Sequence, residues 1–431
     1  MKSIIVIGGG AAGMIAAISA KTTNPSCKVI LLEKNEKLGK KIYITGKGRC
    51  NVTNAAPMDE YLNYYVSNPK FLYSAFAQFN NQDLMHLIEE NGTKLKIERG
   101  NRVFPVSDHA SDITKALNTA LCKLSVDVRL NTEVDSIESC AFENPEEGKK
   151  DKRICSVTTK KGEKLSCDAL IIATGGISYV TTGSTGDGFR FAEDLGLKVT
   201  SLRPSLVPFV LSNDETPDLE GLSLRNVTLH VSYGKKGKKE FSKLGEMVFT
   251  RRGISGPLVL TASAIVGKSL EEDGRLAASI DFKPAISEQE LEKRLLREVD
   301  KNLNRDLSNL MVSLLPSRMA EVFLEKMGIP KNLKAHDLTK EMRKTIVNGL
   351  KAYPIEIIGT EGFKQAVVTQ GGVSVKEISP NSMEAKKIKG LYFAGEVLDV
   401  DGFTGGFNLQ LAFSTGHLAG YSAANEVMED K

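Results

Sequence analysis

An α/β fold carrying an inserted α+β region is what this sequence predicts, on three observations. First, a short apolar run, Ile4 to Ile7, leads into Gly8-Gly9-Gly10-Ala11-Ala12-Gly13, then a helix-like stretch to Lys21 and a second apolar run, Val29 to Leu32. Strand, glycine turn, helix and strand at this spacing form a parallel β-α-β unit. Second, from about residue 195 the pattern becomes strands followed by helices, the order of an α+β region. Third, β-type segments return after residue 354 and lead to a glycine-rich turn and a last helix. The expected organisation is a discontinuous α/β domain over 1–194 and 355–431, a β-rich insertion over 195–285 and a helical subdomain over 286–354. A chain of 431 residues has room for roughly two or three domains.

The elements follow in order. Asp83 to Asn91 and Ser111 to Leu124 are amphipathic, with Asp108 and Ser111 as caps for the second. Val128 to Leu130, Val134 to Ile137, Ile154 to Thr159, Lys164 to Cys167 and Ala169 to Ala173 have strand character, and the charged stretch 144–153 is a turn between two of them. In the insertion, Pro204 to Leu211, Asn226 to Tyr233, Glu240 to Thr250 and Leu276 to Phe282 are expected strands, with GKKGKK, 234–239, as a basic turn. Ser287 to Asn302, Leu307 to Met327 (broken at Pro316) and Thr339 to Ala352 are expected helices. Ala366 to Thr369 and Gly390 to Ala394 are the returning strands.

Composition narrows the function. Hydrophobic residues are 41% and charged residues 26%, ordinary for a globular protein. A net charge of +4 with no Trp does not by itself call for nucleic acid, and none is expected as a partner. The N-terminal apolar run is broken by three glycines, which argues for a nucleotide-binding start rather than a leader. No other segment approaches the roughly 20 apolar residues of a membrane span. The six cysteines, 27, 50, 122, 140, 155 and 167, contain no C-x-x-C pair, so reduced thiols in a cytoplasmic protein are expected. The sequons at Asn51 and Asn226 are then coincidental. His109, His230, His336 and His417 show no metal-ligand spacing, and no metal site is expected.

Two places carry chemistry. Gly8 to Gly13 fits G-x-G-x-x-G between strand and helix, and Glu33 follows 20 residues after Gly13 at the end of the next strand. In that context the motif marks a dinucleotide site: Gly8 for the turn, Gly10 for backbone approach to a pyrophosphate at the helix N-terminus, Gly13 for close packing. Glu33 suits a ribose hydroxyl and would repel a 2′-phosphate. Far along the chain, Leu391-Tyr392-Phe393-Ala394-Gly395-Glu396 is a strand ending in an acid, and a turn rich in glycine, 402–406, leads into a helix at Asn408 and Leu409. NAD alone needs no second helix start. FAD does, with Glu396 suiting the ribityl hydroxyls and N–H groups near Asn408 the N1/O2 edge of the ring. There is no second G-x-G-x-x-G, so NAD(P)H as transient electron donor would visit the flavin face directly.

These residues resemble the glutathione-reductase-like flavoproteins. More narrowly, GKGRCNVTN at 46–54, GSTGDG at 183–188, GISGP at 253–257, TQGGV at 369–373 and AGEVLDVDGFTGGFNLQLAFSTG at 394–416 resemble the YhiN/BaiN-type bacterial flavoproteins over nearly the whole chain. The resemblance implies a Rossmann-like FAD-binding domain made from both chain ends, with a β-barrel-like and helical region between. It implies an NAD(P)H-linked, FAD-dependent oxidoreductase. One branch of the family is linked to reduction of unsaturated 3-oxo bile acids and another to amine oxidation.

The cofactor contacts it implies are Gly8, Gly10, Ala11, Ala12, Gly13, Glu33, Lys34, Lys41, Gly48, Arg49, Cys50, Asn51, Val134, Thr174, Gly175, Gly395, Glu396, Gly406, Asn408 and Leu409. Lys40, Lys41, Lys47 and Arg49 would counter a diphosphate or a reduced flavin, and Asn51 would face the ring edge. Cys50 has no second Cys at the disulfide-reductase spacing and is read as a packing residue. The family commonly places His before G-x-S-G-P, where Arg251 stands here, and SYP after ATGG, where Ser178-Tyr179-Val180 stands. Substrate-side candidates are Arg251, Arg252 and Tyr179, as stabilisers of an enolate-like intermediate. The expected reaction is hydride transfer through flavin N5 to an enone- or steroid-like small molecule. The alternatives are oxidation of a small amine and, on the basic excess and the GKKGKK turn, an FAD-containing RNA-modification protein.

Overall fold

The computed structural model describes residues 2–142, 150–212 and 216–429; residues 144–149 of the expected charged turn lie outside them. The chain forms two compact units, Met1–Pro204 with Val367–Lys431, and Ser205–Ala366.

The first unit is built on a five-stranded parallel sheet. Its order is Leu391–Phe393, β10 (Ala169–Ile172), β1 (Ser3–Ile7), β2 (Lys28–Leu32) and β6 (Asp127–Arg129). Ile4 aligns with Ala169 on one side and Val29 on the other. The central strands are apolar on both faces because both are covered, and Ile4, Ile5, Val6 and Ile171 are fully buried. α1 (Ala11–Thr23) makes the crossover from β1 to β2.

Small residues let α1 lie against the C-terminal helix, Phe407–Glu429. A Cβ on Gly416 would stand 2.3 Å from the Ala12 carbonyl oxygen, and one on Gly420 2.2 Å from that of Ala16. Gly416→Val is therefore expected to force the helices apart and cost about 1–3 kcal/mol in a thermal or urea melt. Gly267→Ala, in a helix where the added Cβ meets nothing within 4 Å, is expected to raise stability by about 0.5–1 kcal/mol.

Two smaller sheets complete this unit. β3 (Thr53–Asn54), β5 (Arg102–Pro105) and β4 (Leu95–Glu98) form one, and β7 (Val134–Ala141), β8 (Lys152–Thr159) and β9 (Lys164–Ser166) belong to the other. Cys140 and Cys155 are joined across β7 and β8, so not all six cysteines are thiols. Neighbouring strands bring their Cα atoms to 6.1 Å, within disulfide reach. Among the described residues no helix is long and apolar enough to cross a membrane.

The second unit is a closed, six-stranded antiparallel barrel: Phe209–Leu211, Gly253–Ser255, Lys239–Thr250, Ser223–Tyr233, Leu276–Asp281 and Tyr353–Thr360. Closure removes the sheet edges. Helices Pro257–Asp273, Glu288–Lys301, Ser317–Lys326 and Lys340–Lys351 pack with it into one core, where Tyr353 sits 5.5 Å from Phe282 and 5.9 Å from Phe323 between ring centroids. The expected strand 204–211 is two short strands, Arg203–Ser205 and Phe209–Leu211, interrupted at Leu206, whose φ is 53°. Pro316 divides the expected helix 307–327, as N-cap of Ser317–Lys326.

Candidate active site

The glycine turn after β1 has the shape its spacing requires. Gly8 has φ 103°, and a Cβ there would lie 2.5 Å from the Ala173 carbonyl oxygen. A Cβ on Gly13 would lie 1.8 Å from the Gly8 oxygen, whereas one on Gly10 would meet nothing within 4 Å. The turn is locked on two sides and open on the third. α1 begins there without a side-chain cap or an acid in its first turn, so its first N–H groups face an open approach that favours an anion.

Glu33, 7% exposed, accepts from the Gly9 N–H at 2.7 Å and from the Asn35 N–H and Nδ2 at 2.8 and 2.6 Å. Its carboxylate shapes the cleft edge and keeps further lone pairs for a hydroxyl. Lys34 pairs with Asp187 at 2.6 Å. Gly8, Gly10, Glu33, Lys34, Val134 and Thr174 line one cleft at the head of the sheet. Thr174 Oγ1 and Asn51 Oδ1 are buried without a hydrogen-bond partner, and such atoms are rare unless a ligand or water completes them.

Lys41 and Glu396, 355 residues apart, meet at 2.7 Å. Lys41 also donates to Ser178 Oγ at 2.9 Å. Glu396 accepts from Ser178 at 3.0 Å and from the Thr369 N–H at 2.9 Å. Burial alone would raise the Glu396 carboxyl, but the Lys41 ammonium and these donors hold it below the ordinary carboxylate range. Gly175, with φ 75°, lies beside this cluster, where a Cβ would stand 3.8 Å from Glu396 Oε2 and 2.9 Å from Ser184 Oγ, and the Gly395 N–H donates to Thr415 Oγ1 at 2.9 Å.

At the start of the C-terminal helix, Gly406 has φ 99° and would clash with the Thr53 backbone if given a Cβ, at 2.4 Å. Asn408 holds the turn before it: its Oδ1 accepts from the Gly402 N–H at 2.8 Å and its Nδ2 donates to the Gly402 oxygen at 2.7 Å. Asn54 Nδ2 donates to the oxygens of Gly405 and Gly100 at 3.0 and 3.1 Å. Leu409 is half-buried beside them.

The GKGR loop places other candidates differently. Arg49 is engaged by Glu98 and Asp108 and lies 4.2 Å over the Phe104 ring. Gly48 is open, with φ 86°. Cys50 is fully buried, and burial pushes its thiol up to about 12, which makes it inert. Tyr179 is 38% exposed with φ 53°, an uncommon backbone for a bulky residue. Arg251 and Arg252 belong to the second unit, where the Arg251 oxygen accepts from Thr216 and Arg252 stands 3.6 Å from Glu361. Thr369, Asn35 and Asn54 were not singled out from sequence, and Ser178 was noted only for its place after ATGG. All four sit within or beside the quoted motifs, and the motifs were their one available signal.

A glycine turn at the head of a parallel sheet that leaves the α1 N-terminus open to an anion, and a second glycine-rich helix start in the same unit, define the class: an FAD-dependent oxidoreductase. The family described as HI0933-like protein Rossmann domain matches residues 2–422, and the chain belongs to it. The chain is 31% identical over 424 residues to a 3-dehydro-bile acid delta(4,6)-reductase of Clostridium scindens, covering 98% of this chain and 99% of that protein. It is 33% identical over 414 residues to a ribosomal RNA dihydrouridine synthase of Escherichia coli, covering 95% of each. In fold it is similar to the crystal structure of 3-ketosteroid delta1-dehydrogenase from Sterolibacterium denitrificans, with TM-score 0.52, 15% identity and 100% of both chains covered.

Proposed function

We propose that the protein is an NAD(P)H-linked, FAD-dependent reductase acting on a carbon–carbon double bond conjugated to a carbonyl group. The carrying observation is two glycine-rich helix starts in one unit, an open one at Gly10 and one at Gly405–Gly406 packed against Thr53, with the Lys41–Glu396 pair in the same unit. Bound FAD would supply hydride transfer through N5: two electrons enter from NAD(P)H and leave as hydride to the β carbon, while a proton reaches the α carbon. The chain's part is to hold the diphosphate at the α1 N-terminus through Gly10, Ala11 and Ala12, and the adenosine ribose at Glu33. Glu396 would accept from the ribityl hydroxyls, and Asn408 keeps the Gly402–Phe403 turn in shape. Tyr179 is the candidate proton donor in this unit.

Two substrates fit this chemistry. A Δ4,6 3-keto steroid of the bile-acid type is one. The C5=C6 bond of uracil in ribosomal RNA, conjugated to the C4 carbonyl, is the other, and the relative from Escherichia coli favours it. The test is anaerobic titration of the yellow protein with NADH and then NADPH, followed by addition of each acceptor. Bleaching of the flavin absorbance, and its return with one acceptor, is the expected result. Absence of bleaching by either nucleotide would overturn the reductase reading.

A further inference from the structure

The two substrates differ in charge, and the surface beside the site bears on the difference. Residues 37–58 carry Lys37, Lys40, Lys41, Lys47 and Arg49 with no acid, and residues 94–107 carry Lys94, Lys96, Arg99 and Arg102 against Glu98 alone. These two stretches are joined in the fold. Arg49 and Arg102 lie 4.2 and 5.9 Å from the same Phe104 ring, and Asn54 in β3 pairs with Arg102 in β5. Asn54 also ties the Gly100 turn to Gly405, so the tip of the β4–β5 hairpin adjoins the second helix start of the site.

Part of this charge is spent locally. Glu98 and Asp108 engage Arg49 and Lys96, Glu36 takes Lys40 and Glu396 takes Lys41. Among the described residues, Lys47, Lys94, Arg99 and Arg102 face no carboxylate within ion-pair distance, and all four are exposed. Arg102 Nε donates to the Arg99 oxygen at 3.1 Å, which fixes one guanidinium against the turn. Lys47 is held outward on a loop with φ 59° at Lys47 and 86° at Gly48. One cation would satisfy a small monoanion. Several unneutralised cations along one edge suit a chain of phosphates, whose counterions are released on contact.

We infer that the Lys47 loop and the β4–β5 hairpin, with Lys94, Arg99 and Arg102, form the contact surface for the phosphate backbone of an RNA substrate. The inference rests on the RNA reading of the function. It assigns these residues to positioning the strand, with the base entering the site beside Gly405.

The test uses holoprotein and protein-free ribosomal RNA, with binding measured by anisotropy between low and moderate salt. Wild type and the variant Lys94→Gln/Arg99→Gln/Arg102→Gln are compared, the three positions lying outside the cofactor contacts. FAD content and the rate of bleaching by NAD(P)H are expected to match wild type. The slope of log affinity against log salt is expected to fall by about 2, at roughly 0.7 per phosphate for a single strand, and affinity at low salt by ten- to a hundredfold. Equal RNA binding by wild type and variant would overturn this surface while leaving the RNA reading intact. Wild type that neither binds RNA nor forms dihydrouridine in it, yet reduces the steroid enone, would remove the RNA reading and the surface with it.

Discussion

Gly10→Ala is expected to leave the apoprotein as stable as wild type, or slightly more so, and to weaken FAD binding by about a hundredfold. The backbone at Gly10 has φ −84° and ψ −166°, which alanine adopts without strain. An added Cβ meets no protein atom within 4 Å, and loss of glycine freedom in the unfolded chain favours folding by about 0.4–1 kcal/mol. The space the methyl group would fill is the approach to the free N–H groups of α1, where a pyrophosphate must come close. A hundredfold loss corresponds to about 2.7 kcal/mol. Gly13→Ala is the opposite case. Its Cβ would stand 1.8 Å from the Gly8 oxygen, so helix and turn must separate, at about 1–3 kcal/mol of apoprotein stability as well as FAD affinity. Urea melts of the apoproteins and fluorescence titration with FAD separate the two. Unchanged FAD affinity in Gly10→Ala would remove the pyrophosphate from this turn.

The contrast between these glycines shows what a sequence can convey. The β-α-β unit was legible because its signals are local: two apolar runs, a glycine turn and an acid at a fixed distance. The same holds for Ser287, whose side chain caps the following helix in a box with Glu290. Other elements lack a local signal. Pro257–Asp273 is a helix of 17 residues rich in small and apolar residues, buried over much of its surface, and shows no amphipathic stripe to announce it. Tyr353–Thr360 carries Pro354, which argues against a paired strand, yet it closes the barrel between Phe209–Leu211 and Leu276–Asp281. The hairpin of β4 and β5 is short and charged. Its place beside the start of the C-terminal helix depends on Asn54, which is 46 residues from Gly100 and 351 from Gly405.

Charge pairing is the least legible feature. Lys41 and Arg49 looked alike in sequence, as cations on one glycine-rich loop. In the fold Arg49 turns to Glu98 and Asp108, and Lys41 turns inward to Glu396 and Ser178. A cation beside a diphosphate motif therefore cannot be assigned to the phosphate from spacing alone, because carboxylates distant in sequence compete for it. Such competition also separates the paired cations of the loop from the exposed Lys47.

Lys41→Met is expected to destabilise the apoprotein by about 3 kcal/mol at neutral pH, because it leaves the part-buried Glu396 charge without its partner. Side-chain exposure is 25% for Lys41 and 19% for Glu396, so solvent screening is limited. The pH dependence identifies the group. In wild type the Glu396 carboxyl lies below its ordinary value, so the stability it contributes is fully present above the unfolded carboxylate pKa. That stability is lost as pH falls through the depressed folded pKa. Without Lys41, burial dominates and the folded pKa rises above the unfolded one. The variant then gains relative stability as pH falls through that raised value. The gap between the two proteins in urea is thus expected to be widest near pH 7–8 and to narrow toward about pH 4.5. Lys41→Met/Glu396→Gln, which removes both charges and keeps an amide for the Ser178 and Thr369 contacts, is expected to recover much of the loss and to show no such pH dependence. A gap that stays constant from pH 8 to acid, or a double variant no more stable than Lys41→Met, would place the cost in lost packing at Lys41 rather than in the unpaired carboxylate.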